Sequence, residues 1–135
     1  MSDKSAPKTV LLVEDNEDDI FLMKRLFRKA NINIPLNIVT DGRMAVDFLS
    51  GINGFQDRAK YPLPDVIFLD LKLPFLHGFE VLTWIRNQPD IKALRVIVLS
   101  SSLEDQDRNR ANALGSPYLI KPPTPEVLID VLGLQ

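Results

Sequence analysis

Short apolar runs alternate with amphipathic stretches along the whole chain. Five of these runs are short and rich in β-branched residues, which predicts β-strands. They cover residues 9–13, 36–40, 66–69, 96–99 and 118–120. Because the runs are mostly apolar and show no regular alternation with polar residues, we expect strands that are buried on both faces, as in a parallel sheet.

The stretches between these runs carry apolar residues at helical spacing. Between the first two strands, one apolar stripe predicts a helix with basic residues on its other faces. We expect a second helix to start at Asp41–Gly42 and a third to span residues 77–87. The stripe of the first helix consists of Ile20, Met23, Phe27 and Ala30.

Two further helices are marked by capping residues. The fourth is expected to begin near Ser102, whose hydroxyl caps it with Asp105 three residues later, and to end at Gly115. It is the most polar of the helices. Thr124 followed by Pro125 is typical of an N-cap with proline at the first helical position, and it opens the last helix.

Five strand–helix units in strict alternation predict a doubly wound α/β fold. Such a fold has a five-stranded parallel sheet with helices on both faces. We expect a single domain over residues 1–135, with an ordered core of about residues 8–133. Residues 50–64 form a longer loop than usual, and the sequence leaves open whether it is an ordinary surface loop or a partner contact.

Composition narrows the classes of function. The chain has 135 residues, and no apolar run reaches the roughly 18 residues that a membrane span needs. The short polar N-terminus lacks the features of a signal peptide, so we expect a cytoplasmic protein without a membrane partner. The absence of cysteine excludes disulfides and thiolate metal sites. A net charge of −2 argues against direct nucleic-acid binding.

Chemically active side chains stand where the predicted strands end. Glu14 and Asp15 follow the first strand, Asp70 the third, Ser100 the fourth and Lys121 the fifth. In open α/β sheets, ligands bind beyond the carboxyl ends of the strands. Three carboxylates in one place repel each other unless a cation joins them, and oxygen ligands alone favour Mg²⁺.

With a metal nearby, Asp70 is suited to nucleophilic chemistry. A carboxylate can attack a phosphoryl group and hold it as an acyl phosphate, while Lys121 neutralises charge on the oxygens. The Ser100 hydroxyl can then hydrogen-bond a phosphoryl oxygen. Taken alone, Asp70 would be read as a capping or turn residue, and Glu14 and Asp15 as a capping pair.

Four motifs resemble the receiver domain of two-component response regulators. They are VEDNEDD at 13–19, FLDLKLP at 68–74, LSSS at 99–102 and YLIKPP at 118–123, and the likeness covers essentially the whole chain. The resemblance implies the flavodoxin-like strand order 2-1-3-4-5. It also implies that Asp70 accepts a phosphoryl group from a histidine kinase or a phosphotransfer protein.

The resemblance also assigns roles to single residues. Glu14, Asp15, Asp70 and the backbone carbonyl of Lys72 would bind Mg²⁺. Ser100 would be the switch hydroxyl, Tyr118 the aromatic that changes rotamer, and Lys121 the phosphoryl-binding lysine. Its peptide bond to Pro122 would be cis. Lys72 and Ser102 would flank the path of the hydrolytic water, and since neither orients water well, we expect a slowly decaying phosphorylated state.

The resemblance is imperfect but keeps every functional group. Glu14 stands where Asp is commoner, Ser100 where Thr is commoner, and Pro123 where an aromatic often follows. More narrowly, the chain is similar to small receivers that pair with bacterial phytochrome-like kinases. The output is then expected to be a downstream protein partner or a homodimer.

Two other functions compete with phosphorelay signalling. One is a pseudo-receiver, a binding module that is never phosphorylated, and the complete acidic set with Lys121 argues against it. The other is an aspartate-nucleophile phosphatase, which needs an acid two residues after the nucleophile. That position holds Lys72. We therefore expect a phosphoacceptor that promotes its own phosphorylation and dephosphorylation and is not a turnover enzyme.

Overall fold

The computed structural model describes residues 7–134, and these form five strands and five helices in strict alternation, as predicted. Residues 1–6 and 135 of the predicted domain lie outside the described residues. None of the helices in the described part is long and apolar enough to span a membrane. The elements are β1 Val10–Val13, α1 Glu17–Lys29, β2 Leu36–Val39, α2 Gly42–Ser50, β3 Val66–Leu69, α3 Gly78–Arg86, β4 Arg95–Ser100, α4 Asp105–Ala113, β5 Tyr118–Ile120 and α5 Pro125–Val131.

The strands form one sheet in the order β2-β1-β3-β4-β5, and all neighbouring strands are parallel. This confirms the predicted order 2-1-3-4-5. Val13 at the end of β1 is level with Val39 of β2 and with Leu69 of β3. The residues that follow these strands therefore come out at one edge of the sheet.

Helices cover both faces of the sheet. Successive side chains of a strand point to opposite faces, so each strand contributes to two separate cores. Leu11 and Val13 belong to a core that also contains buried residues of α2, α3 and α4. Val10 and Leu12 face the other core, against Met23 of α1 and Leu128 of α5. All four β1 residues are buried, as the uninterrupted apolar run predicted.

Side chains cap most of the helix starts, and the cap predicted for the last helix is confirmed. The Asp41 side chain accepts a hydrogen bond from the Met44 backbone N–H at 2.7 Å, which caps α2. The Thr124 hydroxyl caps α5 in the same way, and Pro125 is the first residue of that helix. His77 caps α3 and forms a capping box with Glu80. An oxygen or nitrogen acceptor at these places satisfies backbone N–H groups that the helix leaves free.

The predicted start of α4 is wrong by three residues. The helix begins at Asp105 after an extended Glu104, and no side chain caps it. The Ser102 hydroxyl instead accepts the N–H of Glu104 at 3.2 Å and donates to Asp107 at 2.7 Å. A serine can close such a local turn as readily as it caps a helix, so the sequence pattern did not distinguish the two.

Smaller differences affect other boundaries. The predicted strands at 9–13 and 36–40 each exceed the observed strand by one residue, whereas β4 is longer than predicted. Helix α4 ends at Ala113, and the predicted stop at Gly115 takes a left-handed φ of 74° two residues later. The assigned first and last residues of such elements commonly differ by one or two positions.

The long segment between α2 and β3 is held by Arg58. Its guanidinium donates to the carbonyls of Phe48 at 2.8 Å, Leu49 at 2.9 Å and Tyr61 at 3.1 Å. Two of these carbonyls lie at the C-terminal end of α2, where helix carbonyls lack internal partners. The rings of Phe48, Phe55 and Tyr61 pack on each other at centroid distances of 5.1 to 5.9 Å. The segment is therefore packed against the domain.

Candidate functional site

Three carboxylates meet at the carboxyl edge of the sheet. Glu14 and Asp15 follow β1, and Asp70 follows β3, the neighbouring strand. One oxygen from each lies within 4.8 Å of the others. The backbone N–H of Glu14 donates to Val39, and that of Asp70 donates to Val13, so the sheet ladder positions both residues. The structure thus brings together the three carboxylates that were predicted to bind the metal.

The three carboxylates differ in exposure. Glu14 is 2% exposed and Asp70 is 7% exposed, whereas Asp15 faces solvent. One oxygen of Asp70 accepts the N–H of Leu71 at 2.8 Å. Glu14 accepts the N–H of Asn16 at 3.2 Å. Burial of two carboxylates at one site is costly without compensating charge, and that charge has to come from nearby.

Part of the compensation comes from Lys121, which follows β5. Its Nζ lies 2.7 Å from Glu14 Oε1, 2.9 Å from Asp19 Oδ2 and 3.4 Å from Asp70 Oδ2. The peptide bond from Lys121 to Pro122 is cis, as the resemblance implied. The lysine therefore reaches the acidic cluster from two strands away and contacts two of its three members.

Burial and charge shift the pKa values at this site. Burial raises the pKa of the Glu14 carboxyl; the hydrogen bond from Lys121 opposes this shift and the nearby Asp70 carboxylate adds to it. Burial by itself would lower the pKa of Lys121, but its bonds to Glu14 and Asp19 outweigh this and raise it. Lys121 is therefore a permanent cation, and the cluster still carries more negative charge than one ammonium balances.

The residues present fit a hard divalent cation. Two oxygens bound to one Mg²⁺ lie about 3–4 Å apart, so a spread of 4.8 Å requires only a small adjustment. The described site offers oxygen ligands only, which is the preference of Mg²⁺ and Mn²⁺. The exposed Asp15 leaves the outer side of the cluster open to water, which Mg²⁺ usually retains.

The predicted switch residues are joined by hydrogen bonds. Ser100 is buried at the end of β4, and its hydroxyl oxygen accepts the backbone N–H of Ser102 at 3.1 Å. The Tyr118 hydroxyl donates to the carbonyl of the same Ser102 at 2.9 Å. The guanidinium of Arg108, on α4, lies 5.6 Å from the centre of the Tyr118 ring. One short loop therefore connects Ser100, Tyr118 and α4.

The two residues predicted to set the lifetime have different surroundings. Lys72 is exposed in the loop after Asp70. Ser102 is half-buried, and its hydroxyl is already engaged with Glu104 and Asp107. The roles predicted for both residues, and for the Lys72 carbonyl as a metal ligand, stay predictions.

Two residues at the site were not predicted from the sequence. Asp19 is the last residue of the first motif, yet its pairing with Lys121 was not predicted. Its position in the first turn of α1, directly after the Glu14–Asp15 strand end, was the available signal. Gly78 was also missed. A Cβ at this glycine would clash with the carbonyl oxygen of Asp70, so the close approach of α3 to the site requires glycine.

The sheet order and the acidic edge with its lysine define a class: a doubly wound α/β protein with a carboxylate site that suits a divalent cation. A family model described as the response regulator receiver domain matches residues 10–133. The chain belongs to this family, whose members act in two-component signalling.

Individual relatives agree with this assignment. The response regulator Rcp1 of Synechocystis sp. is 39% identical over 108 residues, which are 79% of this chain and 71% of that protein. Its Mn²⁺-bound structure has a TM-score of 0.79 at 34% identity, covering 94% of this chain and 91% of that one.

Two further structures are similar. The bacteriophytochrome response regulator RtBRR has a TM-score of 0.82 at 33% identity, covering 95% of this chain and 79% of that one. The phosphorylated cyanobacterial phytochrome response regulator RcpA has a TM-score of 0.75 at 34% identity, covering 95% and 90%. The predicted likeness to receivers of the phytochrome type is therefore confirmed.

Proposed function

We propose that this receiver takes a phosphoryl group from a phosphohistidine onto Asp70 and passes the change to a protein partner. The observation that carries the proposal is the position of Asp70. The residue is 7% exposed, its carboxylate lies in a cluster with Glu14 and Asp15, and the Lys121 ammonium is 3.4 Å from one of its oxygens. Such an arrangement suits a nucleophile that will receive a dianionic group.

The proposed transfer is a single displacement at phosphorus. An oxygen of Asp70 forms a bond to the phosphorus, and the bond from phosphorus to the donor imidazole nitrogen breaks. The imidazole leaves with its electron pair and takes up a proton. The product on this chain is an acyl phosphate, and Lys121 donates hydrogen bonds to its new oxygens.

Glu14, Asp15 and Asp70 would hold Mg²⁺, with the Lys72 carbonyl as a further ligand by resemblance. When bound, the ion neutralises charge on the oxygens of the phosphoryl group in transfer. The Mn²⁺-bound structure of Rcp1 supports the choice of a divalent cation. The Lys121 ammonium, 3.4 Å from one oxygen of Asp70, places positive charge beside the nucleophile.

The chain would act once per phosphoryl group, as a phosphoacceptor and not as a turnover enzyme. Hydrolysis of the acyl phosphate by water returns Asp70 to its carboxylate. A phosphatase of the aspartate-nucleophile type would need an acid at position 72, and Lys72 supplies none. A pseudo-receiver would not need three clustered carboxylates and a lysine.

The signal would leave the site through the loop after β4. A phosphoryl group on Asp70 presents new acceptor oxygens, and the Ser100 hydroxyl would turn toward them. This releases the N–H of Ser102 from Ser100 and loosens the Tyr118 contact to the same residue. Tyr118 would then turn inward and change the surface formed by α4, β5 and α5.

The partners are proposed by class. A histidine kinase or a phosphotransfer protein would supply the phosphoryl group. Rcp1, RtBRR and RcpA are among the proteins similar to this chain, and the last two are named as phytochrome response regulators. We therefore propose a kinase of the phytochrome type, acting in the cytoplasm. The altered surface of α4, β5 and α5 would bind a downstream protein or a second copy of this chain.

The deciding experiment follows the acyl phosphate directly. Incubation with Mg²⁺ and acetyl phosphate should give one base-labile phosphoryl adduct by intact mass. Asp70→Asn keeps the shape of the side chain but removes the nucleophile, so its adduct should be absent. Asp90→Asn is the matched control, since Asp90 is exposed and lies between α3 and the start of β4, whereas the site residues lie at or after the strand ends. An adduct that persists in Asp70→Asn would show that another residue is the acceptor.

A second experiment addresses the relay. Beryllofluoride with Mg²⁺ mimics the phosphoryl group on an aspartate, and hydrogen exchange should then change around residues 100–118. Sedimentation of the same samples reports whether a second copy binds. Unaltered exchange near Tyr118 in a protein that binds beryllofluoride would contradict the proposed relay.

A further inference from the structure

We propose that Asp19 is a positioning residue that holds the Lys121 ammonium in place for phosphoryl transfer. The inference rests on the proposed function, because it concerns how the lysine serves Asp70. Asp19 lies in the first turn of α1 and is not among the described residues that could hold the metal. Its carboxylate nevertheless contacts Lys121 Nζ at 2.9 Å.

The Lys121 ammonium contacts three carboxylates at different distances. An ammonium has three N–H donors and no acceptor. Three carboxylates from three elements surround it: Glu14 from the end of β1, Asp19 from α1 and Asp70 from the end of β3. The first two contacts are shorter than 3 Å, whereas the contact to Asp70 is 3.4 Å. Two carboxylates therefore hold the ammonium closely, and its third donor is available to Asp70 or to a group that Asp70 carries.

Asp19 is the partner that does not change its role during the reaction. Glu14 and Asp70 belong to the acidic cluster, so a cation bound there would share their negative charge and weaken their attraction for Lys121. The same cation would repel the ammonium. Asp19 lies outside the cluster and keeps its full charge for the lysine.

Packing alone does not hold the lysine. A cavity of about 190 Å³ adjoins it and is lined by Glu14, Asp19 and Lys121 among others. The Lys121 side chain has free space on this side, and its flexible stem has several rotamers of similar energy. Its direction therefore depends on the carboxylates that it contacts.

Asp19 is itself well fixed. Its backbone N–H donates to the Asn16 side chain at 3.0 Å, which caps α1. A carboxylate in the first turn of a helix is stabilised by the positive end of the helix dipole. The Asp19 contact thus ties Lys121 to the rigid start of α1.

The test compares Asp19→Asn with Asp18→Asn and Asp19→Glu. Asp18 is an exposed neighbour in the same helix turn, so its variant removes the same charge without touching Lys121. With acetyl phosphate and Mg²⁺, Asp19→Asn should form the adduct about five- to tenfold more slowly, as expected when one charge-assisted hydrogen bond is lost. Asp18→Asn should match the parent, and Asp19→Glu should recover part of the rate.

A second measurement reports on Lys121 itself. In ¹⁵N-labelled protein with Mg²⁺, the Lys121 ammonium should give a separate slowly exchanging NMR signal, identified by its loss in Lys121→Met. The signal should disappear in Asp19→Asn and persist in Asp18→Asn. A signal that persists in Asp19→Asn, or a rate equal to or above that of the parent, would overturn the proposal. Equal rates for Asp19→Glu and Asp19→Asn would also overturn it. If the parent forms no adduct, the proposed function fails, and the NMR comparison still decides whether Asp19 orders the lysine.

Discussion

Arg58 should be a major source of stability for the segment between α2 and β3. We expect Arg58→Met to destabilise the domain, because the variant keeps a long side chain but loses all donors to Phe48, Leu49 and Tyr61. The carbonyls of Phe48 and Leu49 would lose a charged partner at the end of α2. The part of the segment that carries Phe55 and Tyr61 would lose the hydrogen bonds that tie it to that helix.

The size of the effect follows from the three contacts. A hydrogen bond to a charged group contributes about 1.5–3 kcal/mol when it is buried. Arg58 is only half-buried, so water would replace part of each bond, and we expect a total loss of about 2–3 kcal/mol. For a domain of this size, 1 kcal/mol corresponds to roughly 4 °C in Tm, so Tm should fall by about 8–12 °C.

Two variants calibrate this expectation. Arg58→Lys keeps the charge but not the planar fork that reaches three carbonyls, and it should lose about half as much as Arg58→Met. Lys60→Ala removes an exposed cation of the same segment, which lies 5.3 Å from the centre of the Tyr61 ring. Its loss should cost about 0.5–1 kcal/mol.

The assay is urea denaturation followed by far-UV circular dichroism, together with thermal melts of the same samples. A lower urea midpoint with an unchanged m-value would show that the free energy of unfolding itself has fallen. If Arg58→Met is no less stable than Lys60→Ala, the segment does not depend on the Arg58 contacts and the reasoning fails.

Three other expectations concern the loop after β3 and the lifetime of the acyl phosphate. Gly78→Ala should lower the free energy of unfolding, measured in urea, by about 1–3 kcal/mol, because the new methyl displaces the backbone of Asp70. The same displacement should slow phosphorylation by acetyl phosphate. A stability and a rate equal to those of the parent would disprove this. Phe75 is 83% exposed with a φ of 68°, so Phe75→Gly should be about 1 kcal/mol more stable than Phe75→Ala, which keeps the strain; equal stabilities would contradict it. The double variant Lys72→Asn, Ser102→Glu should lose its acyl phosphate faster than the parent in Mg²⁺ at neutral pH, and equal decay would exclude these positions as determinants of lifetime.

Much of the fold could be predicted from local pattern. The apolar runs of the strands are continuous because both faces of a parallel sheet are covered, and this alone separated them from the amphipathic helices. Thr124 acts as a cap through a contact within three residues, so nearby sequence was sufficient to find it. The start of α4 was not found, because Ser102 has two local uses of equal quality.

The acidic site was predictable for a related reason. Parallel strands end at one edge, so residues that follow separate strands must approach each other wherever the chain order places them. This brought Glu14, Asp15, Asp70 and Lys121 together in the prediction. No distance between particular atoms was needed for that step.

The tertiary structure decided which side chains make contact within that edge. Asp19 and Lys121 are 102 residues apart, and their pairing depends on where α1 leaves β1 and on which rotamers the packing allows. Arg58 likewise reaches the end of α2 because the segment folds back on that helix, where the Tyr61 ring packs on Phe48. Periodicity and capping signals describe interactions between near neighbours along the chain. The partners of a long, flexible cation are set by the three-dimensional positions of distant acceptors, and no local pattern records those positions.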